Sequence, residues 1–345
     1  SILEAISCLT SGRGLRRANL GDLVYLGNKQ IEESMAVQES LGKVWAVAAN
    51  VLHNGIFTDI ATGIEASVKN PPHERRIIRI DGKNQKNQME IGKYFSSLWL
   101  TPQMDRLFVD GASGRRRFID KLVASLNPEH AGPVSAYERS MRNRNKLLRE
   151  SSKDRKWISS LEDTMARYGV AVVAARRDIV SKLAEHALVE IGSFPGANIQ
   201  LTGKIESWLD EWPALETEDL FRSELARSRE RDREIGGAQL GPHRSDLYVK
   251  MNPGGLQANS CSTGEQKALL VRIILAATLL QAKEKDRVPI LLLDEISAHL
   301  DSNLRADLFE FISEMGAQAW MTGTDKLLFE SFGEEVQYLA IARAV

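Results

Sequence analysis

The chain has 345 residues with 45 Lys plus Arg against 46 Asp plus Glu, and its formal net charge of −1 excludes a protein that is basic throughout. This length accommodates one large domain or two, and no apolar run approaches the roughly 20 residues that a membrane-spanning helix needs. The two cysteines, Cys8 and Cys261, have no metal-ligand spacing, so we expect reduced thiols in a cytoplasmic protein without a membrane partner.

The first residues already show a helical pattern. Ile2, Leu3 and Ile6 fall on one helical face directly after Ser1. The next segment, Gly12-Arg13-Gly14-Leu15-Arg16-Arg17, combines glycines with arginines. Backbone amides and guanidinium groups can together bind a phosphate group. A solvated loop has the same composition, so both interpretations stay open.

Residues 43 to 103 predict a small sheet, then a helix and a short strand. Apolar patterning indicates strands over 43–50, 55–68 and 74–80, and Asp81-Gly82 is a hairpin turn signal. These strands predict an antiparallel meander. Residues 88–97 predict a helix and residues 98–101 a short strand, which Pro102-Gln103 interrupts.

From about residue 115 to residue 190 the pattern is helical. Arg115 and Arg116 open an amphipathic helix, and the segment 137–149 is rich in basic residues. Apolar residues then recur at steps of three and four: Ile158, Leu161, Met165, Tyr168, Val172, Ala175, Ile179 and Leu183. This stripe predicts either ordinary core packing or a short coiled-coil-like arm of two antiparallel helices. Its basic residues form a solvated face or contact nucleic-acid backbone.

A turn with a histidine and an arginine follows a charged helix. The segment 222–233 carries charges of both signs, which predicts a helix with i,i+4 ion pairs. Gly241-Pro242-His243-Arg244 then predicts a turn. A His-Arg pair in a turn is usually structural, and a contact with nucleotide or nucleic acid is the alternative.

The stretch from Ser262 to Asp301 carries the chemistry. Ser262-Thr263-Gly264-Glu265-Gln266 starts a helix, either as a plain capping box or as an anion site, because helix N-termini present free N–H groups. Residues 289–295 predict a buried parallel strand that delivers Asp294 and Glu295 to the carboxyl edge of a sheet, where ligands bind. Asp294 can hold the water shell of Mg²⁺, and Glu295 can polarise a water aimed at a γ-phosphate.

These motifs resemble those of ABC-type ATPase heads of the SMC/Rad50/RecF kind. Residues 262–265 resemble the signature motif, residues 291–295 the Walker B motif, and Leu300-Asp301 the D-loop. More narrowly, the chain is similar to the RecF family in residues 262–270, 241–247 and 322–325. The resemblance extends from Ser1 to about residue 340 and is densest at the two ends.

The resemblance implies an α/β fold, an ABC-type P-loop ATPase head with an inserted helical, short coiled-coil-like arm. Residues 1–103 and 236–345 would form the head, and residues 104–235 the arm. In such proteins the helix at Ser1 follows the phosphate-binding loop directly, so we expect that loop to precede this sequence. Gln103 takes the place of the Q-loop glutamine, which can contact Mg²⁺ or the attacking water.

The resemblance also implies a mechanism, partners and site residues. ATP with Mg²⁺ would join two heads, so that the signature segment of one subunit completes the site of the other. Implied partners are duplex or gapped DNA, a second copy of the chain, and RecR, RecO and RecA in recombinational repair and the SOS response. The implied nucleotide-binding residues are Ser262, Thr263, Gly264, Glu265, Gln266, Asp301 and Gln103, with Asp294 and Gln103 at the metal and Glu295 and Asp294 as catalytic residues. The implied DNA-binding residues are Arg13, Arg16, Arg17, Arg115, Arg116, His243 and Arg244.

The sequence departs from the ABC pattern in two places. Thr322, Thr324 and Asp325 stand where such ATPases often place a histidine, and Cys261 replaces the usual leucine before the signature serine. Neither departure argues against ATP, and because the histidine is missing we expect slow hydrolysis. The resemblance implies that DNA stimulates this ATPase.

Three alternatives remain. An end-bridging clamp needs a longer heptad insertion, a transporter ATPase usually carries Leu-Ser-Gly-Gly-Gln, and a non-hydrolysing scaffold would have a degenerate phosphate-binding loop.

Overall fold

The computed structural model describes residues 1–10, 12, 14–16, 18–23, 45–53, 55–65, 75–151, 154–296 and 300–341. Two residues predicted to bind DNA, Arg13 and Arg17, lie outside this part of the chain, as do residues 297–299 after the two predicted catalytic acids. Within the described ranges, no helix is both long enough and apolar enough to cross a membrane.

The described residues form helices and strands along most of the chain. The helices are α1 (Ile2–Cys8), α2 (Ala112–Leu126), α3 (Ala131–Arg149), α4 (Arg155–Ala187), α5 (Lys204–Glu211), α6 (Ala214–Arg227), α7 (Arg229–Ile235), α8 (Thr263–Lys285) and α9 (Ser302–Glu314). The strands are β1 (Ala46–His53), β2 (Ile56–Glu65), β3 (Arg75–Ile80), β4 (Lys83–Asn84), β5 (Ser97–Leu100), β6 (Gly196–Thr202), β7 (Asp246–Asn252), β8 (Ile290–Leu293) and β9 (Ala319–Met321).

The chain divides into two compact units. The first comprises Ser1–Thr101, Pro289–Ala298 and Leu308–Val345, and the second comprises Pro102–Val288 and His299–Asp307. This division by compactness groups residues 236–288 with the arm helices. The predicted boundaries at residues 103 and 235 instead separate an ATPase head from a helical arm, and this division stays a prediction.

The first unit contains the predicted antiparallel meander. Strands β1 to β4 lie side by side in that order, each antiparallel to the next. Burial alternates along β1, as expected for a sheet that packs one face on a core. That core joins Ile60, Ile78 and Ile80 of the sheet to Leu9 and Phe95. The sequence prediction of this sheet is confirmed.

The first unit also contains a parallel sheet with the strand order β5-β8-β9. The central strand β8 has Leu291, Leu292 and Leu293 buried, because a parallel strand covered on both faces is apolar at every position. Leu293 pairs with Leu100 of β5 and with Met321 of β9. The strands therefore end at the same level, and the residues that follow β8 and β9 meet at one edge.

Helix α4 is the central element of the second unit. The members of its predicted stripe that are buried are Ile158, Met165, Val172, Ile179 and Leu183. A second row on the same helix is also buried and consists of Ala166, Val173 and Val180. Both rows are covered because α3, α6 and α8 all pack on α4. The predicted pairing of two consecutive arm helices is confirmed, and α4 is buried on further sides as well.

A buried arginine joins four helices of the second unit. Arg144 on α3 is 0% exposed. It donates from Nε to Glu162 on α4 at 2.8 Å, from Nη1 to Asp232 on α7 at 2.8 Å, and from Nη2 to the Leu225 carbonyl at 2.7 Å. Arg229 forms a second ion pair with Glu162. Arg144, Glu162 and Asp232 thus each have a partner of opposite charge, as buried ionised groups require.

Two predicted helices differ from the structure. Residues 88–97 form only a 3₁₀ helix over Gln88–Lys93, and the glycine at position 92 weakens any longer helix there. The charged segment 222–233 is split between α6 and α7 at Ser228. The Ser228 hydroxyl donates to the Leu225 carbonyl at 3.3 Å and to Asp232 at 2.8 Å, and such local bonds compete with helix continuation.

Candidate functional site

The two predicted catalytic acids lie at the carboxyl edge of the parallel sheet. Asp294 follows β8 directly, and Thr322 follows β9. The Thr322 hydroxyl donates to Asp294 Oδ1 at 2.8 Å and accepts the Glu295 backbone N–H at 2.9 Å. One hydroxyl therefore fixes both acids. The sequence indicated Thr322 only as a substitute for histidine, without this bridging contact.

Glu295 has an unusual backbone conformation. Its φ is +50°, in the left-handed region that residues with a side chain rarely adopt. Residues held in such conformations cluster at functional sites. Its side chain is exposed, so the carboxylate is accessible to a water molecule or a ligand.

Arg16 lies beside Asp294. Its Nη2 is 3.7 Å from Asp294 Oδ2, and its Nε is 3.9 Å from Glu4 Oε2. The Arg16 backbone N–H donates to Glu4 Oε1 at 3.3 Å. Glu4 is largely buried, and its Oε2 has no hydrogen-bond partner among the described residues. The structure thus places Arg16 near Asp294, and the predicted contact of Arg16 with DNA stays a prediction.

The loop that carries Arg16 is held by glycine geometry and by a second arginine. Gly14 has a φ of +75°, and a Cβ there would lie 2.9 Å from Glu4 Oε1, so only glycine fits. Arg76 on β3 donates to the carbonyls of Cys8, Thr10 and Gly12. This role of Arg76 could not be predicted from the sequence.

The predicted signature segment begins α8 in the second unit. The Ser262 hydroxyl accepts the Glu265 N–H at 3.3 Å, and Glu265 Oε2 accepts the Ser262 N–H at 2.7 Å. The capping-box interpretation is therefore confirmed, and these two hydrogen bonds lower the pKa of Glu265. Gln266 is buried and donates to the Cys261 carbonyl at 2.8 Å. Ser262 and Thr263 are exposed, and the predicted nucleotide contacts of the segment stay a prediction.

The Q-loop candidate and the signature helix are linked within the second unit. Gln103 is exposed on the 3₁₀ helix Pro102–Arg106. Two residues later, Asp105 Oδ2 lies 3.5 Å from Nζ of Lys267, a buried residue on α8. The ion pair ties the segment that carries Gln103 to the first turns of α8.

Asp301, the D-loop candidate, caps a helix. Its Oδ1 accepts the backbone N–H groups of Asn303 and Leu304, each at 2.9 Å. This is the hydrogen bonding of an N-cap residue. Its predicted position at a dimer interface stays a prediction.

Two predicted DNA-binding arginines hold the turn at residues 241–246 from inside the fold. Arg115 forms a bidentate pair with Asp246 at 2.7 and 2.9 Å, and it also donates to the Asp110 carbonyl at 2.6 Å. Arg116 donates to the Ser245 carbonyl at 2.9 Å. This geometry favours a structural role for Arg115, whose side chain is only 14% exposed. The predicted DNA contacts of both arginines stay predictions.

In the turn itself, His243 is partly buried and Arg244 is exposed. His243 Nε2 donates to the Ala238 carbonyl at 2.8 Å, so Nδ1 accepts from the Tyr137 hydroxyl at 2.6 Å. Both ring nitrogens are occupied, which favours the structural interpretation for His243. Arg244 is exposed and donates to Gln239 at 2.8 Å, so Arg244 is free to contact a ligand as well.

The partly buried imidazole of His243 predicts a pH-dependent stability. Burial lowers the pKa of His243 below its ordinary value of 6.5, and Arg244 and Arg116 lower it further against the opposing effects of Ala238 and Asp232. The unfolded chain therefore binds this proton at a higher pH than the folded chain. The stability contributed by neutral His243 is present above pH 6.5 and is lost as the pH falls, by at most about 1.4 kcal/mol per pH unit.

Urea unfolding of the wild type and of His243→Gln between pH 5 and 8 measures this contribution. We expect the difference in unfolding free energy between the two proteins to shrink toward acid pH. A difference that is constant or that grows toward acid pH would contradict the lowered pKa of His243.

The oxygen donors at the strand edge match the preferences of Mg²⁺. Among the described residues, no group of three or more His, Cys, Asp or Glu could hold a metal ion by itself. Asp294 offers one carboxylate, with Oδ1 on Thr322 and Oδ2 toward Arg16. Mg²⁺ is commonly bound by one or two carboxylates, several waters and phosphate oxygens. The residues therefore fit a magnesium ion that arrives with a phosphate ligand.

Comparisons with known proteins agree with the fold. No protein-family model matches the sequence. Two solved structures of the recombination mediator protein RecF of the RecFOR pathway, in forms named RecF-ATPrS and RecF-ATP, match with TM-scores of 0.77 and 22% identity. The matches cover 95% and 97% of this chain and 83% of each solved chain. They show the fold, and the predicted ABC-type head with an inserted helical arm is confirmed.

Sequence relatives extend over nearly the whole chain. The DNA replication and repair protein RecF of Mesorhizobium japonicum is 42% identical over 343 residues, which covers 99% of this chain and 86% of the relative. RecF of Rhizobium etli is 41% identical over 346 residues, with 99% and 87% covered. At this identity and coverage, the chain belongs to the RecF family of DNA replication and repair proteins.

Proposed function

We propose that this chain is an ATP-dependent DNA-binding protein of recombinational repair whose heads dimerise when ATP binds. The observation that carries the proposal is the pair Asp294 and Glu295 at the end of β8, fixed by the Thr322 hydroxyl. Similar solved RecF proteins are named with ATP and ATPrS, which supports the same ligand class here.

In this proposal each acid has one role. Asp294 holds magnesium through water, and Glu295 polarises the water that attacks the nucleotide. Magnesium-bound ATP supplies the γ-phosphate for hydrolysis. Its charged phosphates are also bound by the second subunit, so that ATP joins the two subunits. Because residues 262–264 begin a helix with exposed hydroxyls, they suit contact with the phosphate of a partner subunit. Gln103 and Asp301 complete that composite site.

Further parts of the proposal concern DNA and partners. Arg16 and Arg244 are exposed and suit contact with the backbone of duplex or gapped DNA. Arg13 and Arg17 flank Arg16 in the sequence, and Arg116 donates to the carbonyl of Ser245, the residue after Arg244. ATP hydrolysis is slow and stimulated by DNA. The protein acts in the cytoplasm with RecR and RecO and helps to load RecA. The RecFOR pathway named for the solved relatives supports this set of partners.

Light scattering of the full-length protein carrying Glu295→Gln tests the composite site. With ATP and Mg²⁺ we expect a dimer, because binding persists while hydrolysis stalls, and without ATP a monomer. Ser262→Arg in the same background should abolish the dimer, since the long side chain fills the space meant for a phosphate.

Ser260→Arg is the matched control, because it adds the same charge to an exposed position two residues before the predicted motif. That variant should still dimerise. A Glu295→Gln protein that binds ATP and stays monomeric would refute the proposal.

A further inference from the structure

The first turn of α4 exposes a tryptophan. Trp157 lies in the first turn of α4 and is 54% exposed. Its backbone N–H donates to Asp154 Oδ1 at 2.9 Å, while its indole forms no hydrogen bond or ring contact with any described residue. The adjacent Ile158 is buried against Leu147 and Leu148 of α3. Trp157 thus lies on a helix end that packs on α3 through Ile158.

Basic residues lie close to this tryptophan in the sequence, at the end of α3 and the start of α4. We define the arm tip as Lys146, Arg149, Arg155, Lys156 and Trp157. All four basic residues are exposed, and three of them (Arg149, Arg155 and Lys156) form no ion pair with the residues that the structure describes. Lys146 has only a distant pair with Glu150 at 3.9 Å.

The basic surface continues along α3 away from the tip. Arg139, Arg142, Lys146 and Arg149 are exposed and follow one another at steps of three, four and three residues, which places them on one helical face. Tyr137, Arg144 and Leu148 on the opposite face are buried. The cations therefore form a stripe along α3 that ends at Arg149, in the last turn before the connection to α4.

A second exposed tryptophan has the opposite surroundings. Trp212 follows α5 and is 47% exposed. The residues 205–221 contain no Lys or Arg, and the acidic ones are Glu206, Asp210, Glu211, Glu216, Glu218 and Asp219. Trp212 and Trp157 thus share exposure and differ in the charge around them.

We propose that the arm tip binds single-stranded nucleic acid, with an unpaired base stacked on Trp157 and its phosphates on the neighbouring cations. A flat aromatic face with positive charge beside it is the combination that holds single strands. Bases within a duplex are already stacked, so the indole selects unpaired nucleotides. The inference rests on the proposed DNA-binding function and deepens it, because it assigns the single-stranded part of a gapped substrate to the arm.

Binding of the full-length protein to three labelled probes tests this assignment. The probes are oligothymidylate, a blunt duplex, and the same duplex with a single-stranded gap. Trp157→Ala should bind oligothymidylate and gapped DNA about 5- to 150-fold more weakly, the range of one lost base stack, and should bind the blunt duplex as the wild type does. Trp157→Phe should retain most of the affinity, and Trp212→Ala, the matched control, should retain all of it.

Salt titration tests the cations independently. The double variant Arg155→Gln, Lys156→Gln should reduce the slope of log affinity against log salt for oligothymidylate by up to about 1.4, since each lost phosphate contact removes about 0.7.

The outcomes separate this inference from the proposed function. If the wild type binds no DNA, the proposed function fails. If the wild type binds duplex and gapped DNA and Trp157→Ala behaves identically on all three probes, only the stacking site fails. An equal loss on the blunt duplex also overturns stacking. Competition by polyglutamate as effective as that by oligothymidylate would assign the arm tip to an acidic protein instead.

Discussion

Replacing Arg144 by methionine is expected to lower the free energy of unfolding by about 3–5 kcal/mol, the usual consequence of removing one member of a buried ion cluster. Arg144 is 0% exposed, and its partners Glu162 and Asp232 are each 1% exposed. Methionine fills much of the same space but carries no charge. The loss leaves two buried carboxylates with fewer partners, since Glu162 keeps Arg229 and Asp232 keeps the Ser228 hydroxyl.

Urea unfolding followed by circular dichroism measures this effect. Arg142→Met is the matched control, because Arg142 lies two residues earlier on the same helix with a side chain 65% exposed and a single pair to Glu138. Its effect should stay within about 0.5 kcal/mol. Adding Glu162→Gln to Arg144→Met should recover part of the loss, because one uncompensated charge disappears. Equal destabilisation by the two Arg→Met changes would refute the importance of the buried cluster.

The sequence predicts local elements well when their burial is uniform. β8 is apolar at four consecutive positions because both faces of this central strand are covered, and this run placed Asp294 and Glu295 at a strand end. The α4 stripe was equally readable, because a long helix repeats its buried face every few residues. Both predictions depend on the spacing of apolar residues along the chain, which can be read directly from the sequence.

Side-chain partners could not be predicted in the same way. Arg115 pairs with Asp246 across 131 residues, and Tyr137 meets His243 across 106 residues. A run of arginines shows that positive charge is present, but it does not show which carboxylate or carbonyl the fold brings near. The family resemblance implied DNA contacts for Arg115 and His243, and these stay predictions, whereas their partners inside the second unit, Asp246 and Tyr137, could not be read from the sequence.

Side-chain partners at the carboxyl edge of the parallel sheet could not be predicted from the sequence either. The Thr322 hydroxyl reaches Asp294 across 28 residues, and only the register of β8 and β9 brings them together. The family pattern drew attention to position 322 because a histidine was missing there. The structure shows what Thr322 does at this position. Its hydroxyl donates to Asp294 and accepts the backbone N–H of Glu295.

Thr322→Val is expected to reduce ATP hydrolysis by the full-length protein about 10- to 100-fold, the usual effect of removing a group that orients a metal-binding carboxylate. Valine keeps the shape of threonine and removes the bridge, which leaves Asp294 Oδ1 without its donor and the Glu295 N–H without its acceptor. The backbone of Glu295, at a φ of +50°, then loses the contact that fixes it. On the proposed function, the concentration of Mg²⁺ needed for half-maximal ATP binding should rise as well.

Two further variants decide whether the bridge or the fold is responsible. Thr322→Ser keeps the hydroxyl and should retain most of the activity and the magnesium response. Thr324→Val makes the same change at an exposed position two residues later and should have no effect. Because a lost hydrogen bond to a buried group costs about 1–3 kcal/mol, thermal unfolding must show that Thr322→Val is folded at the assay temperature. Wild-type hydrolysis by folded Thr322→Val would show that the two acids hold their positions without the hydroxyl, and Glu295 would then owe its conformation to the strand end alone.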